Sequence, residues 1–208
     1  YTNNMPAVAV YCIALQKATN DLVMGTHGRG IIIIDDISPL RELSADNIQK
    51  KLHFFDAKPT VIDESASFSG SFGAETQFVG YNETTAAQIK YHLKKRHTFG
   101  KMSMLILNDK GDTISELGPG KSKGINIVNW NYRMKQPKVA KGKTFSFGGF
   151  TTPVLPAGMY TVRITKGKDV FEEKIELIHD PKSTISLNER ESKKETVMGI
   201  YNMIEALA

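Results

Sequence analysis

From about Thr84 to Asp180 the apolar residues alternate with polar ones in short runs, broken by glycine, proline, asparagine and aspartate. A period of two puts successive side chains on opposite faces of an extended strand, so this pattern commits the region to antiparallel sheet. In Ile89-Lys90-Tyr91-His92-Leu93-Lys94 the apolar residues are expected to face in and the basic ones out. Met102–Leu107 and Thr113–Leu117 read as strands joined by the turn Asn108–Asp112. Ile125–Tyr132 reads as another, with Trp130 as core anchor and a bulge where the alternation slips at Val128. Met159–Thr165 and Phe171–Ile178 follow, turning at Lys166–Asp169. Tyr160, Val162 and Ile164 share one face, and Phe171, Ile175 and Leu177 another. Strands at this spacing over residues 84–182 fit an immunoglobulin- or fibronectin III-like β-sandwich.

The flanking regions differ. Residues 1–43 are rich in β-branched residues, with strands expected at Val8–Leu15, Leu22–Thr26 and Ile31–Ile34. The glycines of His27-Gly28-Arg29-Gly30 permit the positive φ of a hairpin turn. This three-stranded meander is too small to bury both faces alone, so its strands are expected to pair with a second copy or to pack on the sandwich. Ser38 is expected to cap a short helical turn through Leu43. Residues 44–83 form a connecting segment, with short apolar pieces at Leu52–Phe55 and Thr60–Ile62 and a Ser/Gly-rich stretch, Ser65–Gly80, read as a long loop. In 183–208 the period changes to helical: Ser186 and Glu189 make a capping box, and Val197, Ile200, Tyr201, Ile204 and Leu207 form one stripe. The helix runs up to Ala208 and the chain begins at Tyr1 without a leader, as expected of a fragment of a longer polypeptide.

Chemistry is sparse. No run approaches the roughly 18 apolar residues of a membrane span. One cysteine, Cys12, excludes an internal disulfide framework and a cysteine zinc cluster; its apolar surroundings suggest a buried, inert thiol. His53, His92, His97 and His179 lack metal-ligand spacing, so neither metal nor cofactor is expected. The formal charge of +5 raises the question of a polyanion. Lys90, His92 and Lys94 share a strand with Tyr91, but Tyr91 falls on the apolar face, so there is no stacking platform for bases. These cations, and those of the later loops, read as a solvated face, with no nucleic-acid partner.

Three constellations remain. Arg29 between Gly28 and Gly30 could grip an anion, but the tight turn is reason enough for the glycines, and Arg29 could instead pair with Asp35 or Asp36. Asp35 and Asp36 are adjacent carboxylates. Neighbours on a strand point apart and cannot flank one glycosidic bond, so capping of the following turn or pairing with Arg41 is favoured over a hydrolase role. Phe145, Phe147 and Phe150 lie in a glycine-rich stretch, the best candidate for an exposed carbohydrate-stacking surface.

The stretch Asn20–Gly30, followed by Ile31–Asp36 and Ile37–Leu43, resembles the last blade of large bacterial BNR-repeat propeller proteins related to the sortilin-type propeller and often labelled glycosyl hydrolases. Met5-Pro6-Ala7-Val8 is similar to the lead-in to that blade. Tyr91–Leu93, Asn126–Trp130 with Tyr132-Arg133, Pro156–Arg163 and Asp180–Lys182 resemble the same family's C-terminal domain. The resemblance implies a secreted or periplasmic parent whose remaining propeller is this module's partner. The family's catalytic carboxylates lie on other blades and its Asp-box is absent here, so no catalytic residue carries over. The expectation is a non-catalytic accessory module. The alternatives are a carbohydrate-binding module using Phe145–Phe150 and, more weakly, a hydrolase using Asp35 or Asp36.

Overall fold

The computed structural model describes residues 6–63, 84–139 and 152–207. It is mainly β. In chain order come β1 (Val10–Gln16), β2 (Asp21–Thr26), β3 (Ile31–Ile34), α1 (Ser38–Glu42), α2 (Ala45–Gln49), β4 (Leu52–Phe54) and β5 (Thr60–Val61). Then follow β6 (Ala87–Leu93), β7 (Met102–Leu107), β8 (Thr113–Leu117), β9 (Gly124–Trp130), β10 (Gly158–Lys166), β11 (Asp169–Ile178) and α3 (Leu187–Ala206).

The first three strands make an antiparallel sheet of their own, β1-β2-β3. Two further sheets run β4-β6-β9 and β5-β11-β10-β7-β8, and their inward residues join one hydrophobic cluster. Ile89, Tyr91, Leu93 and Trp130 enter it from the smaller sheet; Met104, Ile106, Val162, Ile164, Ile175 and Leu177 enter from the larger. Trp130 is 1% exposed and meets Tyr160 edge to face, with ring centroids 5.5 Å apart. Such a pair adds about 0.5–1.5 kcal/mol to the burial itself. All neighbours are antiparallel except β5, which lies parallel to β11 through Thr60 and Leu177 and through Val61 and Ile178.

The register corrects several expectations. β9 pairs with β6 without a break from Ala87–Trp130 to Leu93–Gly124, so Val128 is not a bulge. The alternation slips there because Asn126 is buried and Ile127 exposed. Asn126 faces inward to bind the preceding loop, accepting from the Ser122 amide at 3.0 Å and donating to the Ser122 and Gly124 carbonyls. The ladder shifts register instead at Val10/Cys12 and at Ile106/Leu107. Cys12 is exposed, not buried. Ser38 is the first residue of α1 and not its cap; Ile37 holds that position without a side-chain hydrogen bond. The additional helix α2 is capped by Ser44, which accepts from the Asn47 amide.

The capping box of α3 is present in both directions between Ser186 and Glu189. Of the expected helical stripe, however, only Tyr201 is buried, while Ile200 and Leu207 are exposed. Tyr201 Oη donates to the Lys135 carbonyl at 3.4 Å, and Glu205 accepts from the Lys138 amide at 3.2 Å. The meander is only partly covered: Met24 is buried, but Ile13, Ile31 and Ile33 remain exposed, and β1 and β3 are edge strands.

Candidate functional site

The strongest polar constellation lies where β3 leaves the meander. Asp36 adopts φ +44°, a left-handed conformation that aspartate tolerates better than most residues. Its backbone amide donates to Asp21 Oδ1 at 2.9 Å. Its own carboxylate turns inward. Oδ1 accepts from Ser38 Oγ at 2.6 Å and pairs with Lys58 Nζ at 2.9 Å; Oδ2 accepts from Lys90 Nζ at 2.7 Å. Lys58 also donates to the Thr19 carbonyl. The side chains of Asp36 and Lys90 are 14% and 10% exposed, so this ion pair is largely removed from water. Burial works against ionisation of Asp36, but hydrogen bonds from Lys90, Ser38 and Lys58 and the Lys90 charge outweigh it. The carboxyl is therefore held well below the usual carboxylate range.

Lys90 thus overturns one expectation. On β6 the residues between Ile89, Tyr91 and Leu93 do not face solvent. Lys90 is spent on Asp36, and His92 is buried. Both carboxylate oxygens of Asp36 are occupied, and Asp35 is exposed while Asp36 turns inward, so the two acids occupy different environments. Asp36 does tie down the start of the following turn, accepting from the Ser38 amide at 3.3 Å as well as from its hydroxyl, but the expected pairing with Arg41 or Arg29 is replaced by the two lysines. A carboxylate kept ionised and saturated with donors cannot serve as a general acid.

Asp36, Lys58 and Lys90 form one wall of a cleft of about 710 Å³, whose other walls come from residues 59–63, 84–86 and 180–185. Its polar groups carry both signs, among them Asp56, Asp180 and Lys182. Among the described residues no group of histidine, cysteine, aspartate and glutamate is arranged to hold a metal ion.

A second cluster sits on the β4–β6 pair, where His53 lies directly opposite His92. His53 Nε2 and His92 Nδ1 are both buried without a hydrogen-bond partner. Glu42 Oε2 approaches His53 Nε2 to only 4.0 Å. Burial lowers the pKa of both imidazoles, reinforced by Lys50 and His92 at His53 and by Lys123 at His92. Burial also raises the pKa of Glu42. Both rings are thereby biased toward the neutral form. The cross-strand placement of His53 and His92 was invisible in the sequence, because it depends on which strand pairs with β6.

Of the other candidates, Arg29 is exposed in the β2–β3 turn, whose glycines Gly28 and Gly30 have φ of +77° and +71°. That geometry accounts for both glycines. Phe145, Phe147 and Phe150 lie outside the described residues, as does the whole Ser65–Gly80 stretch. Two tyrosines are structural. Tyr91 Oη donates to the Gly120 carbonyl at 2.6 Å and Tyr160 Oη to the Pro156 carbonyl at 2.7 Å; burial pushes both phenols up to about 12.

No family model matches the chain, and no curated protein does. A solved structure similar to it is that of PorZ, described as an essential bacterial surface component of the type-IX secretion system of Porphyromonas gingivalis. The likeness covers 82% of this chain and 23% of PorZ, at 16% identity and a TM-score of 0.26. That TM-score is below what a shared fold requires. The chain spans about a quarter of the length of that protein. The BNR-repeat and sortilin-type resemblance therefore rests on the 20–43 residues and the later motifs alone. Among the described residues no helix is long and apolar enough to cross a membrane.

Proposed function

We propose that this chain is a non-catalytic accessory module of a secreted or periplasmic propeller protein. In this reading an immunoglobulin-like β-sandwich braces the closing strands of the propeller. The observation that carries it is the Asp36 clamp, in which the residue leaving the meander is gripped by Lys58 and Lys90 of the two-sheet unit. The sandwich reading is supported by the strand orders β4-β6-β9 and β5-β11-β10-β7-β8 around one core. It is also supported by Tyr160, whose hydroxyl at the start of β10 bonds back to Pro156 in the manner of a tyrosine corner. The propeller assignment and the location rest on the sequence resemblance.

The test is amide exchange of the meander in the intact chain and in the Lys90→Met variant, together with assays against oligosaccharide and peptide panels. A bracing module shows faster exchange at Leu22–Ile34 in the variant and no turnover by either protein. Unchanged exchange would remove the bracing role, and turnover at enzymatic rates would remove the non-catalytic one.

A further inference from the structure

The net charge of +5 conceals a strong polarity that only the topology reveals. Four segments meet at one end of the two-sheet unit. The residues before β4 carry Lys50 and Lys51, and the β6–β7 loop carries Lys94, Lys95, Arg96 and Lys101. The β8–β9 loop carries Lys121 and Lys123, and the β10–β11 turn carries Lys166 and Lys168. Their proximity is fixed by pairing. Leu93 lies opposite both Leu52 and Gly124, and Lys166 lies opposite both Met102 and Asp169. The His97 amide donates to the Lys121 carbonyl at 2.9 Å, and the Gly167 amide to the Lys101 carbonyl at 3.4 Å. Among residues 50–51, 94–101, 118–123 and 166–169 the one acid is Asp169, and Lys51 pairs with it at 2.8 Å. Loops at the opposite end mix signs, with Asp56, Asp109, Asp112 and Asp180 beside Lys58, Lys110 and Lys182.

At the apex of the basic end stands Phe99, 89% exposed. A ring nitrogen of His97 and the Gly100 carbonyl, 3.0 Å apart, close the loop beneath it, and Gly100 turns with φ +85°. A phenyl ring held out in water on a loop rich in cations matches one surface: anionic headgroups over hydrocarbon. There the lysines meet phosphates and the ring enters the interface. A single-stranded nucleic acid would call for successive stacking aromatics, and Phe99 stands alone among these loops.

We propose that this pole is a docking surface for an anionic lipid bilayer, with Phe99 as its inserted tip. Each cation near such a surface strengthens binding about fivefold. The test is sedimentation of the full chain with vesicles of phosphatidylcholine alone or with phosphatidylglycerol added, at low and physiological salt. Anionic vesicles are expected to carry the protein down and neutral ones to leave it in solution. K94E/K95E/R96E should weaken binding by about a hundredfold or more. K110E/K182E, at the opposite end, should bind like the parent, and circular dichroism checks that each variant is folded. Because Trp130 is the one tryptophan and is buried, F99W adds a reporter whose emission should shift to the blue on anionic vesicles alone. Absence of binding to anionic vesicles, equal binding to neutral ones, or an F99W emission that does not move would overturn the proposal. So would tighter binding to heparin or duplex DNA that is indifferent to Phe99→Ser, which would mark the pole as a polyanion site.

Discussion

Replacing Asp36 by asparagine tests how the meander is held. Asparagine keeps the shape and tolerates φ +44°, so the substitution removes charge with little change in backbone strain. The two lysines then face different fates. Lys58 is 46% exposed and can turn its ammonium into water at small cost. Lys90 is 10% exposed and cannot do so without moving β6 or the meander. Removing one partner of a buried ion pair costs about 3–5 kcal/mol, because the other charge is left uncompensated. Asparagine still offers Lys90 a carbonyl oxygen, which places D36N toward the lower end, about 3 kcal/mol. The paired variant D36N/K90M removes the stranded ammonium as well and should recover most of that loss. Urea is the denaturant of choice, since guanidinium would screen the interaction under test. Trp130 emission follows the core, and amide exchange at Leu22–Ile34 follows the meander. If D36N changes both readouts by less than about 0.5 kcal/mol, the cluster is an ordinary surface ion pair and the clamp is wrong.

The remaining predictions concern the core and its loops. His53 and His92 have folded-state pKa values below the ordinary 6.5, so the unfolded chain takes up more protons. Their stabilising contribution is full above pH 6.5 and is lost as pH falls toward the folded values. The urea midpoint should therefore drop between about pH 7.5 and about pH 5, and H53Q/H92Q should flatten that slope. Glu42, raised above its ordinary 4.5, acts in the opposite sense from 4.5 up to its folded value and so blunts the acid end of that drop, whereas Asp36 adds acid sensitivity only below 3.8. G120A should cost about 1–3 kcal/mol, because a Cβ there would sit 2.6 Å from Asn126 Oδ1 and push that side chain off the Ser122 loop. Y160F removes the bond to the Pro156 carbonyl and should cost about 1 kcal/mol in the same urea assay.

What the sequence made legible was whatever depends on neighbours along the chain. Ile31–Ile34, Met102–Leu107 and Thr113–Leu117 form strands with the bounds that alternation and turn residues imply, and the Ser186–Glu189 box starts its helix. What failed depends on distant partners. Lys90 looked like a solvent-facing lysine because nothing on β6 announces that Asp36 will cover it. Asn126 looked like a break in the strand because an inward polar residue and a bulge disturb the alternation alike. The candidate site was legible only in its aspartate. The basic pole went unread because its lysines are scattered over four loops that only the sheet order brings together.

The parallel contact of β5 with β11 has a mechanical consequence. Tension between the meander and α3 first loads β4, and once that strand has left β6 it pulls on the start of β5 and the end of β11. In a parallel pair that loading is shear, so the hydrogen bonds around Thr60–Val61 and Leu177–Ile178, with the Ile62 amide on the Ile178 carbonyl at 2.9 Å, share the force and yield together. The shortest strand of the larger sheet is therefore what shields the strands behind it from load once β4 has yielded.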